Sequence, residues 1–318
     1  MFQQIETDEE VSDIEQTFRK RCLLFTGWVA LASTLFGRPL IALLRLSVSS
    51  DDLSYLVLIP FISAYVFFVE RRKIFQTVSY DVMVGCSLLL AAVCVTLGTS
   101  LTGSSSVGPG LSGYILALVI LWMAGFSFLF GRAASKAGCF PLLFLILMVP
   151  FPQAMLDRII YVLQTGSAWI TGALFDVFGV PALRQGFVFH LARIDIEVAK
   201  ECSGIRSSMV LLILALVVSH FYLKRFWSKA LFIVCGLFMM MVKNGIRIAS
   251  LTLLAMYVNP SFLTGRLHHQ GGIVFFLMGL LLLLPVLWIL QRGESGRYGG
   301  KPQPAHSSPK TDYVASEE

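Results

Sequence analysis

Apolar runs near the ~20 residues that a helix needs to cross a bilayer recur along this chain from residue 22 to residue 290. In hydrocarbon every backbone N–H and C=O must find its partner inside the protein, and helices satisfy that within one segment. The expected class is therefore an all-α polytopic membrane protein. Composition agrees: of 318 residues 56% are apolar and 14% charged, and the mean hydropathy of +0.76 is far from that of a soluble domain.

The ends depart from this pattern. Residues 1–18 (MFQQIETDEEVSDIEQTF) are polar and acidic, without the basic start or cleavage site of a secretory signal. They read as a cytoplasmic segment before an uncleaved anchor. Residues 19–290 form the integral-membrane domain, and 291–318, rich in Gly, Pro, Ser and charge, read as a disordered cytoplasmic tail. The formal charge of +6 is not gathered into a nucleic-acid patch. It falls in clusters between apolar runs: Arg19, Lys20 and Arg21; Arg71, Arg72 and Lys73; Arg132 and Lys136; Lys224, Arg225 and Lys229; Arg292 and Arg297. Cytoplasmic loops carry such clusters.

Crossings are expected at about 22–37, 53–69, 82–98, 113–131, 139–156, 207–222, 230–250 and 273–290. Eight crossings place every basic cluster inside and both termini in the cytoplasm, provided that 157–180 does not cross. That segment carries Asp157, Gln164 and Thr171 at seven-residue spacing, with Ser167 on the same face. Such a stripe suits an interfacial, re-entrant or groove-lining helix at the outer surface. In GFVFHLARIDIEVAK (186–200) Arg193, Asp195 and Glu197 alternate with Ile194, Ile196 and Val198, which predicts a short outer β-hairpin.

This threading brings three polar groups to the outer side. Of six cysteines, Cys22, Cys86, Cys94, Cys139 and Cys235 fall in or at the ends of spans, where a cysteine is ordinarily a small buried hydrophobe. Cys202 lies instead in an outer connection, ECSGIR, just before a helix. Helix N-terminal N–H groups stabilise a thiolate and could receive an oxyanion. Glu201 opposes the thiolate and could orient another group; Ser203, Gly204 and Arg206 complete the supporting loop. In MMMVKNGIRIASLTLL, Lys243, Asn244 and Arg247 interrupt an apolar run. An intramembrane arginine needs a reason: either it snorkels to headgroups or it presents a guanidinium to the outer site. In LTGRLHHQGGIVFF, His268 and His269 precede the last span; surface histidines often do nothing, yet imidazole is the usual proton carrier near neutral pH. His190, His220 and His306 have no comparable setting. No metal-ligand spacing appears, and no cofactor is implied. A thiol with an imidazole is a nucleophile with its base, and a guanidinium supplies charge for an oxyanion. A small-solute transporter or channel, with Arg247 and Lys243 binding an anion, is the alternative.

The order ECSGIR (201–206), NGIRI (244–248), LHHQGGIVFF (267–276) resembles the exosortase/archaeosortase family. SSDDLSYLVLIPFISAYVFFVERR (49–72) and PLLFLILMVPFP (141–152) resemble its earlier segments. The resemblance implies a cysteine peptidase or transpeptidase of the cell inner membrane with a periplasmic site. Its substrates would be exported proteins ending in a recognition motif of the Pro-Glu-Pro type, a transmembrane helix and a basic cluster. Cleavage would pass through a thioester, with an exopolysaccharide or lipid as candidate acceptor. The family's catalytic trio corresponds to Cys202, Arg247 and His268, the last chosen over His269 because it stands four residues before Gly272. Some members carry a soluble domain after the last span; here a polar tail follows.

Overall fold

A computed structural model describes residues 2–103, 108, 110–192, 194–198, 205–259, 261 and 272–298. Helices α1 (Phe2–Leu35) and α2 (Gly37–Ser49) are followed by a 3-10 stretch, Asp51–Val57, that leads into α3 (Leu58–Ile74). Then come α4 (Val82–Leu101), α5 (Leu111–Ala137), α6 (Cys139–Phe144) with a 3-10 turn at Leu145–Met148, and α7 (Gln153–Val177). Strands β1 (Ala182–Gln185), β2 (Val188–Leu191) and β3 (Asp195–Glu197) precede α8 (Ile205–Tyr222), α9 (Phe226–Tyr257) and α10 (Gly272–Tyr298).

Among the described residues, five stretches are long and apolar enough to cross a membrane: Leu53–Ile74, Val82–Leu101, Leu111–Ala137, Phe226–Tyr257 and Ile273–Ser295. Two bent pairs raise the number to seven if each is one span, and Ser207–Tyr222 is apolar but shorter. The expected crossings at 22–37, 139–156 and 207–222 fall on these last three features. The protein is thus an all-α polytopic membrane protein with one small sheet. The first bend, of 80°, separates α1 from α2; the second, of 96°, separates Cys139–Met148 from α7. The cause of the second is Pro150 and Pro152, which lack N–H groups and turn the preceding residue away from helix; Val149 is extended at φ −74°, ψ 120°. The chain therefore leaves its first limb earlier than the expected boundary at 156, and α7 opens at Gln153.

α7 does not turn its polar stripe to water. Asp157 is exposed, but Gln164, Ser167 and Thr171 are buried against α9. The two helices run side by side in the same direction. Gly166 meets the Met241 side chain, while Gly245 lies against Ile170 and the Ser167 carbonyl. Thr171 Oγ1 donates to the Ser167 carbonyl at 2.8 Å and approaches the Gly245 carbonyl at 3.3 Å. The stripe is the face by which α7 packs on α9 and on Val198.

The expected hairpin is present as β2–β3, and β1 extends it into an antiparallel sheet of order β1-β2-β3. Gln185 pairs with Val188, so Gly186 and Phe187 form a two-residue turn, with Gly186 at φ +64° as such turns require. Phe189 and Leu191 on the inner face pack with Phe175, Val180, Val198, Ile248 and Ala249. The sheet therefore caps the C-terminal parts of α7 and α9. On its other face His190 Nδ1 sits 3.0 Å from Asp195 Oδ1 across the strands. The span cysteines are not core residues: Cys86, Cys94 and Cys139 are exposed, and Cys22 and Cys235 half-buried. Cys22 and Cys235 pack against core clusters, and the three exposed ones do not.

Candidate functional site

The last three helices form one unit whose ends are fixed by polar contacts. α8 and α9 are an antiparallel hairpin joined by residues 223–225. At that end the buried Glu294 carboxylate, near the end of α10, accepts the N–H of Lys224 at Oε2 and of Arg225 at Oε1, both at 2.9 Å. These are charge-assisted hydrogen bonds to the donors that α9 leaves unpaired at its start. The end of α10 is thereby tied to the turn between α8 and α9. α10 continues through residue 298, beyond the 290 at which the expected crossing stops. At the same end His220 Nε2 lies 3.2 Å from Glu70 Oε1, and its ring stacks on Phe140 with centroids 3.7 Å apart. The basic last turn of α3 (Arg71, Arg72, Lys73) and the basic α8–α9 connection accordingly share one end of the molecule.

Helix direction then decides the opposite end. α8 and α10 both begin there, and α9 arrives there with its C-terminal half. Lys243, only 3% exposed, marks the level. Its Nζ donates to Ser207 Oγ in the first turns of α8, and a methyl built on Gly279 would stand 3.3 Å from Lys243 Cδ. Ser207, Lys243 and Gly279 are therefore at one depth. Arg247, half-buried, follows Lys243 by four residues, ~6 Å further along α9 toward that end. Asn244 points to α7: its Nδ2 donates to Ser167 Oγ at 3.0 Å, and among the described residues its buried Oδ1 has no hydrogen-bond partner.

α7 reaches the same region from the other side. Gln164, 6% exposed, donates from Nε2 to the Val198 carbonyl at 2.8 Å, and Val198 N–H donates to the Phe187 carbonyl at 2.9 Å. The last described residue before the thiol loop is thus held by a helix and by the sheet.

Of the residues singled out in the sequence, Arg247 and Asn244 sit on α9 where these contacts converge, and Arg206 is in the first turn of α8. Glu201, Cys202, Ser203 and Gly204 lie outside the described residues, as do His268 and His269. No cluster of metal-ligating side chains occurs among the described residues. Lys243, Ser207 and Glu294 also hold the unit together. Lys243 was visible as a cation inside a span; the other two were not, because each acts through a contact dozens of residues away.

A family model described as transmembrane exosortase matches residues 46–285. That is three quarters of the chain. The protein belongs to the transmembrane exosortase family. The match takes in α3 to most of α10, including positions 202, 247 and 268, and leaves out α1, most of α2 and Glu294. Searches among curated proteins and among solved structures return no match. Family membership makes this exosortase a multi-pass membrane protein-sorting enzyme, of a family that is cysteine transpeptidase-like and whose substrates are exported proteins in a lipid setting.

Proposed function

We propose that this exosortase cuts the C-terminal sorting signal, of the Pro-Glu-Pro type, from exported proteins at the outer face of the cytoplasmic membrane. In this reading Cys202 Sγ attacks the scissile carbonyl carbon and gives its proton to the His268 imidazole. Arg247, with N–H groups at the start of α8, holds the oxyanion. His268 returns the proton to the leaving amine as the C–N bond breaks, and a thioester remains. Water, or an amine or hydroxyl acceptor from an exopolysaccharide or lipid, resolves it.

One observation carries the proposal: the chain segments bearing the three groups are attached to one end of one three-helix unit. Cys202 is three residues before Ile205, and His268 four before Gly272. At ~3.5 Å per extended residue, chain length alone limits the Cα of residue 202 to ~11 Å from that of Ile205 and the Cα of residue 268 to ~14 Å from that of Gly272. Arg247 approaches the same end along α9. The opposite end carries two basic clusters, Arg71 to Lys73 and Lys224 to Lys229, which the positive-inside rule assigns to the cytoplasm. A cavity between α8, α9 and α10 is apolar, walled by Leu211, Leu214, Phe232, Leu280 and Leu287 among others, and is not itself an anion site.

The test is to express Cys202→Ala, Arg247→Ala and His268→Ala beside a tagged substrate anchored by its own C-terminal helix, and to follow its size. Processing should stop in the first and fall by ~100-fold or more in the other two. Normal processing in all three removes the mechanism, and a Cys202→Ala protein that moves an anion across vesicles would favour transport.

A further inference from the structure

The cysteine mechanism gives Lys243 nothing to do. Its side chain is buried within the bundle, where an amine is costly to place. A salt bridge would offset that cost, yet among the described residues no carboxylate lies within ion-pair distance of it. The acid of this unit, Glu294, is committed at the far end to the Lys224 and Arg225 N–H groups. The charged neighbour of Lys243 is instead Arg247, one turn along the same helix, and the start of α8 adds the positive pole of a helix dipole. What Lys243 Nζ holds is the hydroxyl of Ser207. A hydroxyl bonded to a buried amine is a nucleophile beside a base: serine is a weak nucleophile until a neighbouring group takes its proton, and serine–lysine pairs do this on several unrelated folds. Lysine serves as that base where burial and cationic neighbours disfavour an ammonium, and Lys243 has burial, Arg247 and the α8 dipole around it. Ser207 is the third residue of α8, in the turn whose N–H groups the helix itself cannot pair; donors of that kind stabilise an oxyanion. It is half-buried, the more accessible member of the pair. An apolar cavity begins at the same depth. A methyl built on Gly279 would stand 3.3 Å from Lys243 Cδ and 3.7 Å from Leu211 Cδ2, so the lysine stem and Leu211 flank one point. Leu211 and Leu280 are walls of that cavity, which continues between α8 and α10 past Ala215 to Leu287.

From this placement we propose that Ser207 and Lys243 form a serine–lysine dyad, a second acyl-transfer centre that hydrolyses carboxylic esters with an apolar acyl chain. The inference adds a reaction to the proposed peptidase and does not depend on Cys202. Ser207 Oγ bonds to the ester carbonyl carbon as its proton passes to the neutral Lys243 amine. The tetrahedral oxyanion then collapses, and the departing alkoxide takes the proton from Lys243, which leaves an acyl group on Ser207. Water attacks that acyl carbon and gives a proton to Lys243; the Ser207 oxygen leaves, regains the proton, and the carboxylic acid departs. The acyl chain lies in the cavity beyond Leu211 and Leu280. Esters are the class that fits, because the cavity is apolar and a single amine has to serve as both base and acid.

The experiment uses the full-length protein in detergent, carrying Cys202→Ala so that no thiol chemistry contributes at that position, with Ser207→Ala, Lys243→Met, Lys243→Arg and Ala215→Leu added singly. Three quantities are read: hydrolysis of p-nitrophenyl acetate and octanoate, covalent labelling by a fluorophosphonate followed on the Ser207 peptide by mass, and the thermal midpoint, which shows that each variant is folded. The Cys202→Ala protein should hydrolyse both esters and be labelled at Ser207. Ser207→Ala should abolish both signals. Lys243→Met and Lys243→Arg should each lower them ~100-fold or more; the arginine keeps the charge and the donors but cannot give up a proton at this task, so a contact that only ties α8 to α9 would survive it. Ala215→Leu narrows the cavity and should slow the octanoate ester more than the acetate. A folded Cys202→Ala protein that leaves Ser207 unlabelled overturns the inference, as do hydrolysis unchanged by Ser207→Ala and labelling unchanged by Lys243→Arg. Failure here leaves the cysteine reading intact, since that reading is tested by sorting of the anchored substrate and not by ester hydrolysis.

Discussion

Gly245 gives the most direct test of the α7–α9 contact on which the site depends. A methyl built there would lie 2.7 Å from Ile170 Cγ2, 2.8 Å from Ile170 Cβ and 3.2 Å from the Ser167 carbonyl oxygen. Carbon atoms in ordinary contact stand about 3.5–4.0 Å apart, so Gly245→Ala must push the helices apart by ~1 Å or force Ile170 off its rotamer. Overpacking of this kind costs ~1–3 kcal/mol. The same displacement strains the bond from Asn244 to Ser167 and the approach of Thr171 to the Gly245 carbonyl, at 3.0 and 3.3 Å. It also carries Gln164, and with it the Val198 end of the thiol loop, away from Lys243. Thermal unfolding in detergent should show a lower midpoint, and substrate processing should fall by more than the loss of folded protein explains, toward the ~100-fold that a 1 Å misplacement can cost. Adding Ile170→Ala, which removes Cγ2 but not Cβ, should recover part of both losses. A Gly245→Ala protein with wild-type midpoint and wild-type rate would show that these helices are not in contact as described.

Arg247→Lys keeps the charge but not the planar fork of five donors; it should process substrate more slowly than the wild type yet faster than Arg247→Ala, as read from initial rates on the tagged substrate. Glu294→Ala leaves the N–H groups of Lys224 and Arg225 without their acceptor and should lower the thermal midpoint, while kcat per folded molecule stays close to normal because the close approach of Gly279 to Lys243 still holds the depth of α10.

Much of this was readable from the sequence where polarity and hydrophobicity alone decide. Apolar runs located the five unbroken spans, because a bilayer demands length and tolerates little else. The alternation through Ile194, Ile196 and Val198 located the hairpin, since a strand of period two cannot be mistaken for a helix face. The bend after Met148 was misplaced although Pro150 and Pro152 are plain in the sequence: both lie within an apolar run, and hydropathy does not register a missing N–H. The stripe of Gln164, Ser167 and Thr171 was seen as a stripe, but periodicity states which residues share a face and not what that face meets. Only the contacts with Asn244, Gly245 and Val198 show that it turns inward. Ser207 and Glu294 left no trace in their neighbourhoods, because their roles exist only once α8, α9 and α10 are side by side.

The registration of those three helices follows from very few contacts, and in the proposed mechanism the segments that bear the thiol, the guanidinium and the imidazole would depend on it. A helix advances ~1.5 Å per residue and is stiff over twenty residues, so one fixed point at each end sets the depth of everything between. Glu294 fixes α10 against the α8–α9 turn, and Lys243 fixes α9 against both Ser207 and Gly279. Both constraints agree: from the turn to Ser207, from Arg225 to Lys243 and from Glu294 back to Gly279 are 15 to 18 residues each, or ~22–27 Å along nearly parallel axes. A slip of α10 by a single turn would move its first residue by ~5.4 Å and carry His268 with it, while breaking the Glu294 bonds and placing the Phe275 or Leu282 side chain, instead of a glycine, against Lys243. The glycine at 279 and the carboxylate at 294 are therefore two independent guards of the same register, one steric and one electrostatic, placed at opposite ends of the helix that the catalytic histidine would precede.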